Sequence, residues 1–218
     1  MKKNRNKIIA ATLIIAALVV TFLWGGGYAR NDTAETQTPS VLQGMGITGR
    51  DMYLTDPVPV GRPLPVEPQN VKPGTAAYTC TLSIRCDTIL NNISYLDSEK
   101  HELVPPDGVI FPETEVAFYE GESVFDVFRR EVKNAGIHME YVNTPIYNSA
   151  YVEGINNLYE FDVGEVSGWV YKVNGWIPNY GCSRYQLKAG DVIEWVYTCD
   201  LGRDVGSLFP GSFGQAEE

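Results

Sequence analysis

The stretch that decides the fold is GWVYKVNGWIPNYGCSRYQLKAGDVIEWVYTC, residues 168–199. Large apolar side chains recur at every second position of its first six residues, which predicts a strand over residues 168–173. The dipeptide Asn174-Gly175 that follows favours the tight turn of a β-hairpin. A second turn signal, Lys188-Ala189-Gly190-Asp191, leads into a last strand over residues 192–199. The stretch therefore predicts two strands that are separated by an aromatic loop.

Segments upstream of this stretch supply the other elements. Residues 78–86 alternate apolar and polar side chains, which is typical of a first strand with one buried face. Further strands are predicted at residues 109–111, 116–119, 138–141, 151–155 and 158–161. Ser123 and Asp126 have the spacing of a capping box, and the apolar residues of one helical face follow up to Gly136: Val124, Phe128, Val132 and Ala135. The order of elements predicts an α+β domain, with one helix packed on a mixed sheet.

The first 29 residues have the layout of an export signal. Residues 1–7 are basic, and residues 8–24 are an uncharged run rich in Ile, Leu, Ala and Val. Small residues permit cleavage after Ala29, whereas the apolar run is also at the lower length limit of a membrane-spanning helix. A cleaved signal peptide and a retained membrane anchor both remain open. Either one places the rest of the chain outside the membrane, at the cell surface or secreted.

Residues 30–76 form a proline-rich extracellular linker with seven of the 13 prolines of the chain. Its segment VPVGRPLPV, residues 58–66, favours extended polyproline II conformation. We therefore expect a semi-rigid spacer that holds the domain, residues 77–206, away from the membrane or the wall. The alternative is an irregular arm that packs onto the domain. Residues 207–218 are expected to be a flexible tail.

The four cysteines of an exported domain suggest two disulfides. Cys80 and Cys86 are about 20 Å apart along one extended strand, which is too far for a bond between them. If the first and last strands are parallel neighbours, Cys86 meets Cys199, and Cys80 is left to pair with Cys182. The alternative is that some of the four are free buried thiols, which pack as small apolar groups. The spacing of the cysteines does not favour zinc, and we expect no metal site.

Charge and motifs exclude several classes of function. The chain has 27 acidic and 17 basic residues and a formal net charge of −10, so it repels nucleic acids. The sequence has no nucleophile elbow, no zinc-protease motif and no glycine-rich phosphate loop. We therefore expect a protein that is not an enzyme and that requires no cofactor.

Residues 168–195 resemble the transcobalamin-like C-terminal domain, a bacterial cell-surface family that is similar to the β domain of transcobalamin and intrinsic factor. The shared pattern is an aromatic strand, an Asn, a short loop that ends in Gly, then an aromatic residue, a Leu, a Gly-Asp turn and an apolar last strand. The resemblance extends upstream through residues 147–155, the helix start at Ser123 and residues 85–90. It covers residues 78–206 and implies a β-grasp-like mixed sheet that carries one helix.

The resemblance also implies a non-catalytic, surface-exposed binding module outside the cytoplasm, with cobalamin or another corrinoid as its possible ligand. Flat aromatic faces beside a few amides suit such a ligand. The candidate binding residues around the turn are Trp169, Tyr171, Asn174, Trp176, Asn179 and Tyr180. The alternative for Trp169 and Tyr171 is packing in the core, since alternate aromatic residues of a strand usually face it. The alternative function is an adhesive or structural module that binds surface proteins or wall glycan of the cell envelope.

Overall fold

The computed structural model of the chain describes residues 49–207. The predicted export signal or membrane anchor, the first part of the linker at residues 30–48 and the predicted tail from residue 208 lie outside the described residues. Within the described part of the chain, every helix is too short or too polar to cross a lipid bilayer.

The described residues form seven strands and two α-helices. The strands are β1 (Ala77–Arg85), β2 (Val109–Tyr119), β3 (Met139–Thr144), β4 (Ser149–Ile155), β5 (Leu158–Tyr159), β6 (Gly168–Val173) and β7 (Val192–Thr198). The α-helices are α1 (Asp87–Leu90) and α2 (Val124–Asn134). Short 3-10 helices lie at Pro68–Asn70, Ile93–Tyr95, Ser98–Leu103, Pro145–Tyr147, Cys182–Arg184 and Arg203–Val205.

The strands pair in two sheets. The first sheet has the order β2-β1-β7-β6, in which β1 and β7 are parallel and the other pairs are antiparallel. The second sheet has the order β3-β4-β5 and is antiparallel throughout. The α+β class and the parallel pairing of the first and last strands are confirmed. The strands expected in one sheet are divided between two, because β3 and β4 pair with each other through the turn at residues 145–148.

Helix α2 begins at the predicted capping box and packs on the first sheet. The Asp126 backbone N–H donates to Ser123 Oγ at 3.2 Å, and the Ser123 backbone N–H donates to the Asp126 carboxylate at 3.0 Å. Phe128 of α2 is fully buried, and its ring stacks on Trp195 of β7 with a centroid distance of 4.4 Å. Gly136 lies just past the helix with φ of +69°, a conformation that ends helices and favours glycine.

Replacement of Ser123 by alanine is expected to lower the free energy of unfolding by about 1 kcal/mol, because the first turn of α2 loses its cap. Urea denaturation followed by tryptophan fluorescence measures the change. Ser98→Ala is the matched control, since Ser98 is exposed and begins a short 3-10 helix. Equal stabilities for the two variants would contradict a capping role for Ser123.

All four cysteines are free thiols in the structure. Cys80, Cys86 and Cys182 are buried, and burial raises the pKa of each of these thiols to about 12. Cys199 is half-buried at the end of β7. The arrangement corresponds to the alternative of buried thiols that pack as apolar groups, and the disulfide pairing stays a prediction.

Candidate functional site

Residues 51–67, here called the arm, lie along the loop that joins β6 to β7. Asn179 Nδ2 donates to the Asp56 carbonyl at 2.9 Å, and Tyr180 Oη donates to the Pro63 carbonyl at 2.7 Å. The Val66 backbone N–H donates to the Arg184 carbonyl at 2.9 Å. Backbone carbonyls of the arm therefore accept hydrogen bonds from side chains of the loop. These residues of the linker form an arm that is packed on the domain, not a spacer.

Arg184 binds both ends of the arm. Its side chain is only 1% exposed. The guanidinium donates to Thr55 Oγ1 at 2.6 Å, to Asp51 Oδ2 at 2.7 Å and to Glu67 Oε1 at 2.8 Å. The ring of Tyr53 lies 5.0 Å from the guanidinium carbon, within reach of a cation–π contact. A buried cation is thus neutralised by two carboxylates of the arm.

A cleft of about 890 Å³ is enclosed by the arm, by the β3–β4 hairpin and by residues 174–182, here called the aromatic loop. Its volume lies in the range of about 300 to 1,000 Å³ that is usual for small-molecule sites. The cleft is lined largely by aromatic rings and prolines: Tyr53, Tyr147, Tyr151, Trp176, Tyr180, Pro57, Pro59 and Pro178. Such walls offer flat apolar faces to a ligand.

The charges around the cleft are balanced, in contrast to the acidic chain as a whole. Three charged residues line it: Asp56, Arg62 and Arg184. Asp56 is paired with Arg50, and Arg184 is paired with Asp51 and Glu67, so the group as a whole has three positive and three negative charges. Arg50 pairs with Asp56 at 2.7 Å, and the guanidinium of Arg62 lies 5.3 Å from the ring centre of Trp176. A balanced, aromatic cleft suits a neutral ligand better than an ion.

The structure places two of the six candidate binding residues in the core. Trp169 and Tyr171 are each only 8% exposed and do not line the cleft. Trp169 Nε1 donates to the Leu158 carbonyl at 2.8 Å, and Tyr171 Oη donates to the Tyr180 carbonyl at 2.7 Å. Their side chains leave β6 on its buried face, which corresponds to the packing alternative.

A third candidate, Asn174, holds the hairpin turn. Its φ of +52° is left-handed, its Nδ2 donates to Asp191 at 2.8 Å, and its Oδ1 accepts from the Val192 backbone N–H at 2.9 Å. The amide is therefore occupied by the turn itself. The other three candidates lie on the cleft: Trp176, Asn179 and Tyr180. Trp176 is half-buried, whereas Asn179 and Tyr180 bind the arm as well.

The most important residue that sequence reasoning missed is Arg184. The available signal was a single charged residue between Cys182 and Tyr185, in a segment rich in aromatic residues. The aromatic residues Tyr53, Tyr147 and Tyr151 were also missed, because they come from segments that are distant in sequence from the aromatic loop. Among residues 49–207, no group of three or more His, Cys, Asp and Glu side chains is placed to hold a metal ion.

A comparison with protein-family models finds a match in the C-terminal half of the chain. A family model described as a domain of unknown function (DUF4430) matches residues 121–199, which run from the start of α2 through β7 and include the aromatic loop. No curated protein matches the sequence significantly.

Solved structures that are distantly similar to the chain include the following two. Haptocorrin in complex with Cbi has a TM-score of 0.43 and 15% identity over 59% of this chain. The chain spans only 26% of the haptocorrin chain. A candidate metal-binding protein from Ruminococcus gnavus ATCC 29149 has a TM-score of 0.32 and 13% identity over 56% of this chain and 96% of its own. The family match over residues 121–199 shows that this part of the chain is similar to a domain of unknown function.

Proposed function

We propose that the protein is a non-catalytic ligand-binding module and that its ligand occupies the cleft between the arm and the aromatic loop. The observation that supports this proposal is the composition of the cleft, which combines aromatic and proline walls with balanced charges. The apolar N-terminal segment supports a location outside the cytoplasm, either anchored or secreted.

A corrinoid is the ligand that the sequence resemblance favours. Such a ring is large and flat, and its edge carries neutral amides. Trp176 and the half-exposed rings of Tyr147 and Tyr151 offer apolar faces for that edge, and Arg62 offers donors to the amide carbonyls. Arg184 also lines the cleft, and its buried Nε has no hydrogen-bond partner among the residues that the structure describes.

An absorbance titration of the full-length protein with cobalamin tests the corrinoid proposal. Binding is expected to change the visible spectrum of the cobalamin and to retain it with the protein during gel filtration. An unchanged spectrum without retention at millimolar cobalamin would exclude a corrinoid as the ligand.

Trp176→Ala is expected to weaken cobalamin binding by about 1 to 3 kcal/mol with little change in melting temperature, because its half-buried ring lies on the cleft wall. Titration calorimetry and a thermal melt measure the two effects. Tyr95→Ala is the control, since Tyr95 is 72% exposed and does not line the cleft. A large loss of thermal stability with unchanged affinity would assign Trp176 to the core.

A second candidate function is adhesion to protein or wall glycan. The observation that favours it is a group of exposed apolar side chains on the β3–β4 hairpin beside the cleft: Val142, Ile146, Tyr147 and Tyr151. Cosedimentation with purified cell-wall glycan tests this function. Loss of cosedimentation in an Ile146→Ser/Tyr147→Ser variant would support it, and absence of cosedimentation by the wild type would exclude wall glycan.

A further inference from the structure

Two large apolar residues outside the cleft combine a left-handed backbone conformation with an exposed side chain. Phe161 has φ of +67° and is 61% exposed, and Leu201 has φ of +50° and is 51% exposed. The left-handed region is unfavourable for a bulky side chain, because its Cβ comes too close to the backbone carbonyl oxygen. Since both side chains are largely exposed, packing within the chain offsets little of this cost.

The other non-glycine residues with positive φ in the described part of the chain have an explanation in the structure. Four of them are asparagines, which tolerate this conformation: Asn148, Asn156, Asn157 and Asn174. The remaining one, Leu54, lines the cleft. Strained backbone is often found where a protein contacts a ligand or a partner. The conformations of Phe161 and Leu201 therefore indicate a contact with another molecule, away from the cleft.

Backbone hydrogen bonds bring the two residues to one surface. The Phe161 N–H donates to the Ser167 carbonyl at 2.9 Å, and the Leu201 N–H donates to the Val166 carbonyl at 3.1 Å. Val166 is itself 42% exposed. Phe161, Val166 and Leu201, here called the apolar patch, thus lie together on the loops that follow β5 and β7. Exposed apolar patches with polar surroundings commonly mark contact surfaces.

The surroundings of the apolar patch are acidic. Each of its three residues directly follows a carboxylate in the chain: Glu160, Glu165 and Asp200. Residues 160–166 and 200–204 together contain five carboxylates and one basic residue, Arg203. Within the described part of the chain, Lys100 is the only other cation that forms an ion pair with them. Five carboxylates and two cations leave a net charge of −3 around the patch.

We propose that the apolar patch binds a basic segment of another protein. Apolar side chains of that segment contact the patch, and its lysines or arginines pair with the surrounding carboxylates. Charge disfavours two other occupants, since a second copy of the chain has a net charge of −10 and residues 208–218 contain two acidic and no basic residues. The patch does not line the cleft, so this proposal and the small-ligand proposal can fail separately.

The thermal stability of Phe161→Asn/Leu201→Asn tests whether the two side chains serve a contact outside the chain. Asparagine tolerates a left-handed backbone, so the melting temperature is expected to rise by about 2 to 4 °C. Tyr95→Asn is the control, because Tyr95 is 72% exposed but is not left-handed, and this variant should melt with the wild type. A fall in the melting temperature of the double variant would show that the two side chains stabilise the domain itself, and it would overturn the proposal.

Photo-crosslinking of the full-length protein in intact cells that produce it tests the partner. Benzoylphenylalanine replaces Phe161, and mass spectrometry identifies the peptide that is linked to it after illumination. We expect a linked peptide from another protein with a net positive charge. The absence of a linked protein, a linked peptide without lysine or arginine, or a link to this same chain would overturn the proposal.

A pair of charge-reversal variants tests the role of the carboxylates in the same crosslinking experiment. Glu165→Lys is expected to lower the yield of the linked protein about fivefold or more, because Glu165 is exposed and directly precedes Val166. Glu115→Lys is the matched control, since Glu115 is also exposed but lies level with the start of β7, at the opposite end of the strand from Leu201. Its yield should equal that of the wild type. Equal yields for the two variants would overturn the proposal.

Discussion

Replacement of Arg184 by methionine is expected to lower the free energy of unfolding by about 3 kcal/mol. The substitution keeps much of the buried apolar volume and removes the guanidinium. Asp51 and Glu67 then lose their shared counter-charge, and Thr55 loses a donor at 2.6 Å. The side chains of Asp51 and Glu67 are 35% and 26% exposed, so water solvates them in part and keeps the loss near the lower end of the range for a broken buried ion pair. Chemical denaturation followed by tryptophan fluorescence measures the change.

Arg203→Met is the control for this experiment. Arg203 also pairs with an aspartate, Asp200, but the side chains of both residues are about half exposed. Exposed ion pairs contribute little to stability, so this variant should unfold close to the wild type. An equal effect of the two substitutions would show that the arm is not held by Arg184.

The contribution of Arg184 to stability is also expected to depend on pH. Partial burial of Asp51 opposes its ionisation, but hydrogen bonds from Arg184, Thr55 and Tyr53 outweigh this effect and hold the pKa of Asp51 below its ordinary value of 3.8. A carboxyl with a depressed pKa in the folded state stabilises that state above its unfolded pKa and loses the contribution as the pH falls through its folded pKa. The difference between wild type and Arg184→Met should therefore be complete above about pH 5 and shrink below about pH 4.

The elements that could be predicted from the sequence are those with a strong local pattern. β1, α2, β6 and β7 follow from side-chain alternation, from the capping box at Ser123 and from the Asn174-Gly175 turn. The division into two sheets could not be predicted, because alternation shows which residues form a strand and not which strand is its partner. The pairing of β3 with β4 depends on a turn at residues 145–148 that the sequence analysis did not identify.

The same difference between local and distant signals explains the site. Trp176, Asn179 and Tyr180 could be predicted from the sequence because they lie close together in the chain, just after one turn. The interactions of Arg184 could not be found, because Asp51 and Glu67 are 133 and 117 residues away in the chain. Proline content suggested an extended conformation for the arm, but it carried no information on the carbonyls that Asn179 and Tyr180 bind.

Oxidation of Cys86 and Cys199 to a disulfide is expected to stabilise the folded domain by about 3 to 5 kcal/mol, since it closes a loop of more than a hundred residues in the unfolded chain. The register of the first sheet supports this pairing. Arg85 lies opposite Val196 in the parallel pair, so Cys86 and Cys199 follow at the same end of neighbouring strands. Burial is the main cause of the raised pKa of Cys86, and Cys199 is among the nearby groups that raise it further. The two thiols therefore lie past the same end of β1 and β7, and both are free in the structure.

The pKa of about 12 for Cys86 also sets the conditions of the experiment, because the thiolate is the reactive species and is scarce at neutral pH. Oxidation of the folded protein by air should be slow, so the protein is produced in an oxidising compartment and its peptides are mapped without reduction. We expect the peptide with Cys86 to be linked to the peptide with Cys199, and we expect the melting temperature to fall when a reductant is added. Cys199→Ser is the control, since it should lower the melting temperature of the oxidised protein without a reductant. A link between Cys80 and Cys86, or four free thiols in protein from that compartment, would contradict the pairing. In the second case the apolar, aromatic core would have to hold the parallel strands together without a covalent bond.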